Sequence, residues 1–405
     1  MEDRELSTED LRRRLDSYLT SHAPSLDEIQ VTARKAGYVL DNHEAKIVDQ
    51  MDPLRELYVD LVKALPENLP SSKDWLLDSS NVAFLVGRTP RLNAVSMRTA
   101  TGHLIVLNQG QVTFAYKVIR AICTRIVIPD EPTQELDDVA GIVAQTLDWL
   151  RSTYNAPVSD DYPIGSEQLR IATHLAVLAE NFILCHELSH ILRGHLIGRQ
   201  EEPFLNVDGM ELKALQPRFE EEVAADLLGV QLLLDVAPRL GYTVAAAAAG
   251  YELYLFSVML LEYAMSGYDA SPPALSSNHP PARYRIGTLR QYVSEELGHP
   301  ELLDEGSPAY QNSQTVYNIG ARLKKIQEDR DETASRSLPS LLDEAASGSL
   351  PIYAFEVAAR RALMDAPRVA LPILINAARL SNTGTRKGDA RAALARRFLP
   401  GLQFK

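Results

Sequence analysis

Cysteine is scarce: Cys123 and Cys185 are the two present in 405 residues. A disulfide framework is not indicated, a reducing compartment is expected, and no thiol pair is spaced to hold a metal. Basic charge is also in short supply, with 41 Lys and Arg against 54 Asp and Glu and a formal net charge of -13. That balance opposes general binding to nucleic acid or to an anionic membrane, because phosphate affinity needs a basic face. The opening stretch MEDRELSTEDLRRRLDSYL has no apolar core of the kind a secretory signal requires, so export is not expected and the cytoplasm is the expected location. The longest apolar run, Val244 to Leu261, contains Glu252, whose charge would be costly in lipid. It reads as a buried helix, and no membrane span is expected. What the chain does have is 45% apolar side chains, enough for a sizeable core.

Patterning along the chain predicts an α+β fold, predominantly helical, with three regions: 1–75, 76–300 and 301–405. In the first, Ser7 and Ser25 each precede an acidic residue three positions on, as in a capping box, and apolar residues then recur at helical spacing. After Pro70-Ser71-Ser72 the segments NVAFLVG, LNAVSMR, HLIVLN and CTRIVIP carry the β-branched pattern of strands, with a hairpin turn at Thr101-Gly102. A small sheet is expected there. From Ser166 to Arg193 no Pro or Gly occurs, and Gly194 is a helix stop. This predicted helix is apolar on most sides. Further helices are expected over Phe219 to Val236 and over about 241–265, 281–297 and 313–328, with a polar connection at 195–216. Residues 379–405 hold seven Lys or Arg against one Asp, a basic tail on an acidic chain.

The long apolar helix carries His186-Glu187-Leu188-Ser189-His190. Histidines four apart stand about 40 degrees apart around a helix axis, so both imidazoles can reach one ion from the same face. Glu187 lies beside them, where a carboxylate can take a proton from water and return it to a leaving amine. The pattern points to zinc and to metal-assisted amide hydrolysis. A catalytic zinc needs a third protein ligand, and Glu222, thirty-two positions beyond His190 and near the start of the next helix, is the natural candidate. Asp226, one turn further on, could accept the free ring N–H of a ligating histidine. The triplet Glu220, Glu221 and Glu222 could instead only favour a helix N-terminus; the small Ala224 and Ala225 favour the ligand reading by allowing two helices to approach. His195 is a rival ligand at a spacing one residue short of the metzincin pattern. Cys185 reads as a small buried side chain.

With these residues in view, the chain resembles the gluzincin metallopeptidases, nearest the branch of HtpX-like heat-shock peptidases and prenyl-protein-processing peptidases. The likeness rests on LNAVSMRTATGHLIVLNQG from Leu92, on HELSH with EEVAAD, and on Ser277-Asn278-His279-Pro280-Pro281 followed by Arg283 and Ile286; it covers roughly residues 80–290. The resemblance implies a zincin-like catalytic core within 76–300, a sheet edge at Leu104 to Leu107 that pairs with extended substrate, and His279 or Arg283 near the cleft as catalytic residues. His279 could also be a turn residue held by two prolines. Tyr251, Tyr254, Tyr263 and Tyr284 are alternatives for stabilising an oxyanion. The membrane helices of that branch are missing here.

The resulting expectation is a zinc-dependent endopeptidase acting on an intracellular protein or peptide substrate, in stress, defence or regulatory proteolysis. The connection at 195–216 is either a lid over the site or a surface excursion. The alternative is a non-catalytic zinc-binding or partner-binding protein on the same scaffold, against which the presence of Glu187 argues. The basic tail, with Leu394 and Phe398 as a short apolar stripe, is either a solvated helix or a docking element for an acidic partner.

Overall fold

The computed structural model describes residues 52–67, 69, 73–87, 94–99, 101–153, 162–196, 201–207, 210–215, 218–265 and 280–335. The capping signals at Ser7 and Ser25, His279 and the basic tail lie outside them. Two compact units are present. The second contains α4 (Leu136–Thr153) and the C-terminal part of α9 (Pro308–Ser335), which Arg322 Nε joins through a 2.8 Å bond to Asp137 Oδ1.

The first unit holds the rest. Helices α1 (Asp52–Ala64) and α2 (Lys73–Leu77) lead into strands β1 (Val82–Gly87), β2 (Ala94–Arg98) and β3 (His103–Asn108), and then α3 (Gln109–Cys123). The long helix α5 (Ser166–Leu192) follows, then the hairpin β4 (Glu201–Val207) and β5 (Met210–Leu215), α6 (Phe219–Val236), α7 (Val244–Met265) and α8 (Ala282–Glu295). The architecture is mostly helical with one small mixed sheet.

In that sheet β3 is central, parallel to β1 and antiparallel to β2. The β2–β3 hairpin closes through Thr99 N–H to Gly102 O at 2.8 Å and Gly102 N–H to Thr99 Oγ1 at 2.9 Å. Leu104 to Leu107 are therefore paired on both sides, which corrects the expectation of a substrate edge there. The segment CTRIVIP is not a strand either. Its Cys123 ends α3, Thr124 Oγ1 donates to Ala121 O at 2.6 Å, and Val127 is 81% exposed. The apolar residues before it, Phe114, Ala115, Val118, Ile119 and Ile122, recur at helical spacing and are buried, so period outweighs β-branched content.

Helix α5 is the core of the unit, buried along most of its length as its nearly uniform apolarity requires. Its N-terminus is capped from a distance. Gly165 has no side chain to offer, and the Glu131 carboxylate accepts the N–H groups of Glu167 at 2.7 Å and Gln168 at 3.1 Å. A Cβ on residue 165 would stand 2.2 Å from Glu131 Oε2, so glycine makes room for the borrowed cap. At the other end Gly194 adopts φ +67°, with Gly194 N–H to Ile191 O and His195 N–H to His190 O closing the last turn.

Two glycines set how close the neighbouring helices come to α5. A Cβ at Gly229 of α6 would meet the His186 backbone at 3.1 Å, and one at Gly250 of α7 would meet Leu178 Cβ at 2.5 Å. The tight approach of α6 is therefore at Gly229 and not at Ala224, which is part-exposed; Ala225 is buried beside it. Helix α8 is fastened by three acidic side chains. Glu262 accepts the Ala282 N–H at 3.1 Å, Glu252 takes a two-pronged bond from Arg290 at 2.6 and 2.8 Å, and Asp226 does the same for Arg285.

Candidate metal centre

Three donors converge between α5 and α6. His186 Nε2 lies 3.2 Å from His190 Nε2 and 3.5 Å from Glu222 Oε2, while His190 Nε2 lies 3.6 Å from Glu222 Oε1. All three side chains are buried, and they form a group that could hold one metal ion. The helix repeat places His186 and His190 on one face, and the contact of Gly229 with the His186 backbone brings α6 near enough for Glu222 to close the triangle.

The donor set fits zinc. Ligands about 2.0–2.1 Å from a tetrahedral zinc stand about 3.3–3.4 Å apart, the scale of the three separations here. Imidazole nitrogens and a carboxylate are also the ligand types zinc takes.

Each histidine has a partner on its far side. Asp226 Oδ1 accepts from His186 Nδ1 at 2.8 Å, so that in the neutral ring the proton sits on Nδ1 and the lone pair on Nε2, the nitrogen that faces Glu222. The same carboxylate receives Arg285 Nε on Oδ2 and Arg285 Nη2 on Oδ1, each at 2.6 Å. His190 Nδ1 lies 3.1 Å from His195 Nδ1. His195 therefore stands behind a donor, and the triangle is made without it.

Electrostatics follow from these contacts. Burial disfavours a charged His186, but the hydrogen bond and charge of Asp226, with Glu222 and Glu187, outweigh it and hold this imidazole above its ordinary range. His190 is pushed down to about 3 by burial and by neighbouring His186, so it stays neutral. Burial would raise Asp226, yet the Arg285 charge and the hydrogen bonds from His186 and Arg285 keep its carboxyl below the usual carboxylate range.

Glu187 sits beside the triangle and is buried. Ser96, on β2, places its Oγ 2.7 Å from Glu187 Oε2 and 3.0 Å from the Glu187 carbonyl oxygen. A strand 91 residues away in sequence thus holds the carboxylate from the side opposite its own helix. Tyr254 feels the charges of Arg285, Asp226 and Glu187; burial first of all pushes its phenol up to about 12, and its hydroxyl accepts from the Gln111 amide. Tyr284 is half exposed. Cys185 is fully buried, its thiol raised by that burial, which makes it packing.

Arg283 is exposed on α8, and Arg285 takes the inward position. The signal was in the spacing: Ala282, Ile286, Leu289 and Val293 form the buried stripe, and Arg285 lies on it while Arg283 does not. Ser96 carried no such signal, since its meeting with Glu187 depends on how β2 pairs and where α5 crosses it. The connection after His195 contains the hairpin β4–β5, with β5 running beside β2.

A family model described as Peptidase U49 matches residues 133–300, a stretch that holds His186, Glu187, His190, Glu222, Asp226 and Arg285. Among curated proteins and among solved structures, none matches the chain. The similarity to a peptidase family supports a proteolytic function.

Proposed function

We propose that the chain is a zinc-dependent endopeptidase that hydrolyses a protein substrate in the cytoplasm. The observation that carries this reading is the convergence of His186 Nε2, His190 Nε2 and a Glu222 carboxylate oxygen within 3.2–3.6 Å, with Glu187 adjoining them. A zinc ion held there would supply Lewis acidity toward a scissile carbonyl and toward water. Glu187, steadied through Oε2 by Ser96, takes a proton from the attacking water on its carboxylate and passes it to the departing amine. Asp226 and Arg285 keep His186 in the tautomer that presents Nε2. The buried Tyr254 hydroxyl, with the charges of Arg285, Asp226 and Glu187 acting on it, is our candidate neutral donor for negative charge that develops on the substrate oxygen.

Elemental analysis of purified protein tests the ligand set. One zinc per chain is expected in the wild type, with loss or strong weakening in His186→Ala and Glu222→Ala. Glu187→Gln should keep the zinc and lose cleavage of cellular proteins in a proteome-wide comparison. A wild type that takes up no supplied zinc would overturn the zinc reading. A Glu187→Gln protein that retains every cellular effect would favour a non-catalytic zinc-binding role.

A further inference from the structure

His195 is not one of the three donors of the triangle, yet it meets His190 twice. Its main-chain N–H donates to the His190 carbonyl at 3.0 Å, and its ring Nδ1 lies 3.1 Å from His190 Nδ1 with the two rings edge to face at 5.2 Å. Two imidazole nitrogens at that separation need one proton between them, since two lone pairs would repel. The other nitrogen of His190 settles who carries it. Nε2 faces His186 Nε2 and Glu222 Oε1, where a donor set needs a lone pair, so the His190 proton belongs on Nδ1.

We infer that His195 is a positioning residue for His190: its Nδ1 accepts the His190 Nδ1–H and thereby holds His190 in the tautomer and ring orientation that present Nε2 to the metal. The inference rests on the zinc reading above. The helix stop is what delivers the ring. Gly194, at φ +67°, turns the chain back over the last turn of α5, and Leu196, next after His195, is buried. His186 and His190 are then backed by different chemistry, a carboxylate neutralised by an arginine for the first and a neutral imidazole for the second. A neutral acceptor adds no negative charge at a buried centre that already holds Glu222, Glu187 and Asp226.

The test is zinc affinity, measured on the full chain at one fixed pH by competition with a chromophoric chelator, with folding followed by circular dichroism. His195→Ala removes the acceptor, whereas His195→Asn offers an amide oxygen near where Nδ1 stood. Both keep the main-chain bond to His190, so the helix end is common to the pair. Loss of an outer partner of a ligating histidine costs about 10–100-fold in metal affinity. That loss is expected for His195→Ala with one zinc per chain still reached at saturation, and His195→Asn is expected to bind close to wild type. Affinity in His195→Ala equal to wild type would overturn the proposal. Equal loss in both variants would also overturn it, assigning His195 to the ligand set or to the helix end. A wild type that binds no zinc would instead bring down the zinc reading on which it stands.

Discussion

Arg283 and Arg285 are two positions apart and meet opposite environments. Arg283 is exposed; Arg285 lies under α8 and gives both arms of its guanidinium to Asp226, itself 2% exposed. Breaking a buried, hydrogen-bonded ion pair by removing one partner costs about 3–5 kcal/mol, because the other charge is left uncompensated. Arg285→Met should lower the free energy of urea unfolding by that order, whereas Arg283→Met should stay within about 0.5 kcal/mol of wild type. Equal effects at the two positions would mean that the Asp226 carboxylate does not depend on Arg285. At this scale the sequence was most legible where chemistry follows a local repeat. His186, Glu187 and His190 need only the helix period to share a region, and Asp226 needs only one turn from Glu222. Ser96 and Gln111 reach the site through tertiary packing, which no local repeat encodes.

Among elements, boundaries with strong stop signals were readable: Gly194 ends α5, and α6 runs Phe219–Val236, the bounds its pattern indicates. What distant partners supply was not. Helix α5 does begin at Ser166, as its pattern indicates, but the carboxylate that caps it, Glu131, lies 35 positions earlier, and the place of β3 between two strands depends on β1 returning parallel to it. On α6 a close approach to α5 falls at Gly229, because Gly229 continues the face of Glu222 and Asp226 toward the His186 backbone. The Glu131 cap has a pH signature. The N–H of Glu167 and then that of Gln168 hold its carboxyl below its ordinary value of 4.5, so the folded state favours the ionised form. A lowered folded-state value adds stability that is fully present above the unfolded value and is lost as pH falls through the folded one. Glu131→Gln should therefore be less stable than wild type at neutral pH, with the gap closing as the pH drops below 4.5. Thermal unfolding across that range checks it; a gap that persists unchanged in acid would show that the cap does not act through its charge.

At the scale of the whole molecule, two helices among the described residues, Ser166–Leu192 and Val244–Met265, are long and apolar enough to cross a membrane, yet most of each apolar window is buried against the rest of the protein. Glu252, which argued against a membrane span from sequence, is fully buried and paired with Arg290. These helices form a core, and the candidate metal centre sits in it. Through His186 and His190 it holds α5, through Glu222 it holds α6, and through Asp226 and Arg285 it reaches α8. An ion bound there must then stabilise the folded state as a whole, by mass action, because the unfolded chain has no such triangle. With free zinc buffered at about 100 times its dissociation constant, the unfolding free energy should exceed the chelated value by about 2.7 kcal/mol, and each further tenfold in zinc should add about 1.4 kcal/mol. Urea titrations in zinc buffers measure this directly. Glu187→Gln should retain the full response, since Glu187 is outside the triangle, while His190→Ala should flatten it. A wild-type stability that ignores zinc over that range would mean that these three donors, however close, do not bind the ion in the folded protein.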